Sequence, residues 1–471
     1  MPELLLAIDV GTSTARAALF SPAGDLTAIA SARLTSASPA PGRVEQDAER
    51  VWRAVKTLAR KVLSGAGRAG ADVAAIGLTT QRASAVVWDR HTGRPVSPLV
   101  IWSDLRGVDR AAELRAAGFF IAPQQAAAKL EAILAGVEGD RGCLAFGNID
   151  AFLIARMSGG AVHATDASQA WPLGYLDLAT MGWNQALMAH QGLDEAMFPR
   201  LADTWGPIAT TAPAFLGAPI PIAADIADQQ SALIAHGEGA KVTFGTSATF
   251  DLATGPEFLF RSPTAPPFVL SRAGGETRFC VEGMVLSAGS ALDWLRGVCR
   301  LGGHARFEAL AASVPAAGGA WFLPALQGLG APHGDPARRA VLGGLTGATT
   351  QGHIARAALE GVAFRVREVV DYVHDITGMA APEFVGVDGG LTANDTFLQI
   401  QADLLGRPLR RHATPEATAC GAAICAGRGI GLLTQADEAG FVRYDATFEP
   451  AIGADEAEAR FARWRGDVYG A

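Results

Sequence analysis

Two segments more than two hundred residues apart share one layout: an apolar strand runs into a Gly-Thr-Ser turn and out again. The first reads Leu4-Leu5-Leu6-Ala7-Ile8-Asp9-Val10-Gly11-Thr12-Ser13-Thr14, the second Val242-Thr243-Phe244-Gly245-Thr246-Ser247-Ala248-Thr249. Such a turn offers backbone N–H groups and hydroxyls to an anion, and glycine lets the backbone approach closely and adopt positive φ. Two of them predict two similar halves that grip one polyphosphate from opposite sides.

The length agrees with that duplication. At 471 residues the chain exceeds what one core supports, so two domains of about 200–250 residues are expected. The boundary is placed at Gly237–Gly239, giving domains 1–238 and 239–471. A net charge of −8 argues against nucleic acid or an anionic membrane surface as partner. No apolar run approaches the roughly 20 residues of a membrane span, and Leu4–Leu6 is too short for a signal-peptide core. Five cysteines, odd in number and without metal-ligand spacing, read as reduced, buried thiols of a cytoplasmic protein. The scattered histidines, such as His163, His333 and His353, show no pairing at metal spacing.

Along the chain, the opening reads as a β-meander (the first strand, Arg16 to Phe20, Leu26 to Leu34), so the sheet is mixed. A helix is predicted over about 47–63, capped by Asp47, ended by Gly65, with Val51, Val55, Leu58 and Val62 on one face. Strands follow at 73–79, 85–88 and 99–102. The same order begins again near residue 240, with helices at 290–300, 352–377 and 394–405 and a strand at 383–387. The tail 455–464 reads as a surface helix.

Asp9-Val10-Gly11-Thr12, Thr80-Gln81-Arg82, Ala227-Asp228-Gln229-Gln230, Gly328-Leu329-Gly330-Ala331-Pro332, the stretch Ala340 to Glu360 and Val387-Asp388-Gly389-Gly390-Leu391-Thr392-Ala393-Asn394 together carry a family likeness. The chain resembles the FGGY carbohydrate kinases, within the actin-like ATPase fold, from Leu4 to Gly431, and among them most resembles the glycerol kinases. The resemblance implies an α/β chain of two actin-like (ribonuclease H-like) domains with mixed sheets flanking a central cleft. It implies ATP and Mg²⁺ as cofactors, a small polyol or sugar as partner, and a homodimer. Asp228 then takes the base role, accepting the proton of the substrate hydroxyl, and Asp9 orients Mg²⁺. Thr12, Ser13, Thr14, Arg16, Thr246, Gly289, Gly390 and Asn394 fall to ATP. Arg82, Trp102, Asp104 and Gln229 fall to the acceptor.

Each residue also has a plainer reading. Asp9 to Thr14 is a tight hairpin, Asp228 an N-cap aspartate, and Gly389-Gly390 an ordinary strand-to-helix turn. Asp104 could equally pair with Arg106 on the surface. The small-residue helix from Ala417 to Gly427 is explained as well by close packing as by any site. The likeness departs from the glycerol kinases at Ala83, where they hold a glutamate, at Gln124, where they hold a tyrosine, and at Ala132, where they hold a tryptophan. Trp102-Ser103-Asp104-Leu105-Arg106 resembles the Trp-x-Asp-x-Arg of ketose and polyol kinases. A pentulose or ketose kinase is therefore the alternative, and a non-catalytic ATP-binding sensor the alternative from another class.

Overall fold

The computed structural model describes residues 2–138 and 140–470. Its contacts divide the chain into two units. The first comprises the chain up to Ala235 together with Phe268–Arg278 and Thr418–Phe441; the second comprises His236–Pro267, Phe279–Ala417 and the chain from Val442 onward. The division thus falls beside the glycine-flanked segment at 237–239, but two later segments return to the first unit.

The first unit is built on β1 (Leu4–Val10), β2 (Thr14–Phe20), β3 (Leu26–Arg33), β4 (Val73–Thr80), β5 (Trp205–Thr210) and β6 (Pro221–Ala227). Its sheet runs β3-β2-β1-β4-β6-β5. β1 pairs antiparallel with β2 and parallel with β4, and β4 pairs parallel with β6. Strands β1, β4 and β6 are apolar on both faces because both faces are covered. β3, at the edge, alternates exposed and covered residues. Helix α1 (Ala48–Gly65) lays Val51, Val55, Leu58 and Val62 into the core. Asp47 caps it by accepting the Arg50 N–H at 3.0 Å, and the helix ends on Ala66, one residue past the predicted glycine.

The second unit repeats the pattern with β7 (Ala240–Phe244), β8 (Ala248–Gly255), β9 (Glu276–Val285), β10 (Val385–Asp388), β11 (Leu409–His412) and β12 (Tyr444–Phe448), ordered β9-β8-β7-β10-β11-β12. β7 pairs antiparallel with β8 and parallel with β10, as β1 does with β2 and β4. Helix α2 (Gln351–Thr377) crosses its core, started by Thr350 and stopped by Gly378 at φ 65°.

Three expectations need correction. The tail helix, Ala454–Tyr469, is amphipathic rather than a surface element: Phe461, Trp464 and Val468 join the second unit's core. Cys143 and Cys299 are only partly covered, whereas Cys280, Cys420 and Cys425 are buried. The predicted strand at 99–102 stops at Val100, because the carbonyls of Ile101 and Trp102 turn toward the buried ammonium of Lys129. Among the described residues no helix is long and apolar enough to cross a membrane.

Candidate active site

In the first unit, three neighbouring parallel strands end side by side. Val10 pairs with Thr80, and Thr80 with Ala227. The residues just past those ends are Gly11-Thr12, Gln81-Arg82 and Asp228. Carboxyl ends of parallel strands are where open α/β sheets hold ligands, because the following loops are free to diverge.

Asp228 opens the helix Asp228–Ala235, at the end where the helix dipole favours negative charge. The carboxylate Oδ1 accepts the N–H of Gln229 at 2.9 Å and faces Arg82 Nε at 3.6 Å. The Arg82 guanidinium also lies over the Phe268 ring, 4.4 Å from its centre. Such a sandwich between an anion and an aromatic face fixes the arginine's plane. Ala83, next in the chain, is held at φ 56°, a left-handed conformation that costs an alanine roughly 1–2 kcal/mol.

The Gly11–Thr14 turn is closed by the Gly11 N–H donating to Thr14 O at 3.1 Å. Gly11 and Gly245 are not among the glycines at positive φ, so the expected left-handed backbone is absent from both turns. A Cβ on Gly11 would meet Thr14 O only at ordinary distance. The turn is instead shaped by a ring of polar side chains. Trp102 Nε1 donates to Thr12 Oγ1 (3.0 Å), which donates to Gln81 Oε1 (3.2 Å). Gln81 Nε2 donates to Gln46 Oε1 (3.3 Å), and Gln46 Nε2 returns to Thr12 O (2.7 Å). Asp9, buried at the end of β1, lies opposite Arg16 on β2, with Oδ2 3.3 Å from Arg16 Nη1. Ser13 is exposed on the same turn.

Asp104 is placed differently from either expectation. It does pair with Arg106, but in the interior: its side chain is fully covered, with Oδ1 2.8 Å from Arg106 Nε and Oδ2 accepting the Val44 N–H at 2.6 Å. Burial pushes its carboxyl up, but the hydrogen bonds from Arg106 and the Val44 N–H outweigh this and hold it below the usual range. Both oxygens are engaged by the protein, so Asp104 pins the Val44–Glu45 backbone. Gln124 is exposed, and Gln229 is half-buried beside Asp228.

In the second unit, β7 and β10 end together, with Thr243 opposite Asp388, and deliver Gly245-Thr246 and Gly389-Gly390. Thr246 is exposed. Gly289 opens the helix Gly289–Val298, and its N–H donates to Gly245 O at 3.1 Å. A Cβ there would stand 2.5 Å from that oxygen, so the residue is small because the turn lies against it. Gly389, at φ 93°, passes the Phe244 backbone as closely, whereas nothing lies within 4 Å of a Cβ on Gly390. Asn394 caps the helix Asp395–Leu405 by accepting the Phe397 N–H at 2.8 Å. Beneath the turn, Asp388 Oδ2 meets His236 Nε2 at 3.0 Å. Burial pushes the Asp388 carboxyl up, but His236 and the buried Lys241 hold it low.

Sequence reasoning missed Gln46, which carries no charge and lies far from any motif. It quoted Gln81 without giving it a role. Only their burial, 4% and 1% exposed, marks them.

Both halves match models of one family. Residues 4–235 fit the N-terminal domain, and residues 240–430 the C-terminal domain, of the FGGY family of carbohydrate kinases. The glycerol kinase of Thermus brockianus is 38% identical, over 98% of this chain and 97% of its own length. That of Dechloromonas aromatica is 37% identical, over 98% and 96%. Among solved structures, Plasmodium falciparum glycerol kinase with ADP superposes with a TM-score of 0.89 at 23% identity, covering 99% of this chain and 98% of that one. A xylulose kinase from Rhodospirillum rubrum gives 0.84 at 25% identity, with 99% and 98% covered. The duplicated mixed sheets, the turns at their strand ends and these matches over nearly the whole length agree: the chain belongs to the FGGY family of carbohydrate kinases.

Proposed function

We propose that this kinase transfers the γ-phosphoryl group of ATP to a hydroxyl of a small polyol, with glycerol the first acceptor to test. The carrying observation is the row of three strand ends that sets the Thr12 turn, Arg82 and Asp228 side by side in the first unit. Phosphoryl transfer has a loose transition state, so the protein's work is positioning and charge neutralisation. Asp228 takes the acceptor's proton as the new O–P bond forms, Arg82 orients that carboxylate, and Trp102 and Gln229 border the acceptor. Arg16 and the Thr12–Thr14 turn attend to the phosphates, and Thr246, Gly390 and Asn394 to the nucleotide.

Magnesium fits this set of residues. Among the described residues no three His, Cys, Asp or Glu side chains form a metal cage. Magnesium needs none, since it keeps water and binds through one or two carboxylates plus phosphates. Asp9, a hard-oxygen ligand beside the phosphate turn, would hold it, and the ion would supply neutralisation of phosphate charge. Assembly as a homodimer remains part of the proposal.

Ala83 offers no carboxylate where the glycerol kinases hold a glutamate, and the interior position of Asp104 does not replace it. This favours, as the second reading, a longer polyol or a ketose whose extra hydroxyls find other partners. A coupled ADP-release assay over glycerol, erythritol, xylitol, D-xylulose and L-ribulose separates the two. Asp228→Asn should lower kcat by about 10²–10⁴-fold while ATP still binds. Full transfer by that variant, or ATP binding with no acceptor stimulating ADP release in the wild type, would sink the proposal.

A further inference from the structure

Behind the strand ends of the first unit lies a polar cluster that the chemistry above does not use. It is centred on the short helix Ala167–Leu173, which Asp166 caps. Asp166, Ser168, Gln169, Asn148 and Thr80 are all fully buried. Buried polar groups without partners are costly, so a connected set of this kind is either complete or destabilising.

Its hydrogen bonds run to two places. Gln169 Nε2 donates to Thr80 Oγ1 (2.9 Å) and Thr80 O (3.3 Å), and its Oε1 accepts from Asn148 Nδ2 (2.7 Å). Asn148 Nδ2 also donates to Gln81 O at 2.9 Å. This branch holds the backbone immediately before Arg82. Ser168 Oγ accepts the N–H of Ala227 at 2.9 Å, immediately before Asp228, and donates to Asp166 Oδ1 at 2.8 Å. Asp166 is fixed in turn by Thr204 Oγ1 at 2.7 Å. One helix start therefore grips both strand ends whose next residues are Arg82 and Asp228.

We infer that Ser168 and Gln169 are positioning residues for phosphoryl transfer, setting the Asp228 carboxylate against Arg82 through the backbones of Ala227 and Thr80. The inference rests on Asp228 as the base. Neither side chain touches the reacting atoms. Each removes a degree of freedom from a strand end that would otherwise fray, and a misplacement near 1 Å costs about 10²-fold in rate.

The test uses the full-length chain with the panel alcohol that the wild type phosphorylates fastest. Ser168→Ala leaves the Ala227 N–H without its acceptor. Gln169→Glu keeps the side chain's size and its acceptor for Asn148 but loses the donors to Thr80. Each should lower kcat about 10–100-fold, with KM for ATP held within about twofold. Ser168→Thr, which keeps the hydroxyl, should restore most of the rate. Should Ser168→Ala fail to fold, the Gln169→Glu result decides alone. A kcat within about twofold of wild type in Gln169→Glu, or in Ser168→Ala, overturns the inference. So does a fall in kcat matched by an equal rise in KM for ATP, or a loss that Ser168→Thr shares. Asp228→Asn keeps the two ideas apart: if it is inactive and these variants are not, only the positioning inference fails.

Discussion

Lys129 carries its ammonium into the interior, where Nζ donates to Ile101 O at 3.0 Å and Trp102 O at 3.3 Å. Burial lowers its pKa from 10.5 to about 7, with Asp104 opposing the shift and Arg106 adding to it. Below about pH 7 the lysine is charged whether folded or unfolded; between there and 10.5 the unfolded chain binds the extra proton, so stability rises with pH. Lys129→Met should remove that contribution. Urea melts at pH 7 and pH 9 should show the wild type gaining stability relative to the variant, and an unchanged difference would show that the site does not titrate there. The variant should also raise KM for the acceptor, since the Trp102 carbonyl loses its donor. Asp9, Arg82 and Asp228 entered through the family resemblance of the motifs that hold them, and the structure sets Arg82 and Asp228 just past neighbouring strand ends. The pairing of Asp104 with Arg106 was expected on the surface and lies in the interior, because sequence gives a carboxylate's neighbours in the chain and not its burial. Gln46, Ser168 and Gln169 escaped notice because an uncharged polar residue in a string looks the same inside or outside.

At the level of elements, the helix Ala417–Gly429 shows what its small residues are for. A Cβ on Gly421 would stand 1.8 Å from Ser231 O, one on Gly77 2.1 Å from Ala422 O, and one on Gly429 2.2 Å from Ala223 O. Backbone lies on backbone there, so the packing explanation is the one the structure supports. Gly421→Ala should cost about 1–3 kcal/mol through overpacking, read as a lower melting temperature. Gly390→Ala, with open space around its Cβ, should leave the melting temperature alone and raise KM for ATP. Equal melting shifts in the two variants would contradict this contrast. Strands and helices with strong periodicity were readable from the sequence to within a few residues. The tail helix was not, because Phe461, Trp464 and Val468 declare a buried face only once a core exists to receive it.

For the whole molecule, the duplication was foreseeable from its two Gly-Thr-Ser turns, whereas the route of the chain was not. The first unit is completed by Phe268–Arg278 and Thr418–Phe441, and nothing in the composition of those segments names their destination. A fragment ending at Ala235 would expose the ledge at Gly77 and Ser231 that the late helix covers, and it should melt non-cooperatively or aggregate. Supplying both segments, 268–278 and 418–441, through flexible linkers should restore a cooperative transition, and a fragment that is stable without them would refute the claim. The same threading bears on biosynthesis. A ribosome making this protein releases residues 1–417 before the earliest sheet receives its covering helix, so maturation of the half made first waits on residues 418–441, and a stop codon placed ahead of them disables it.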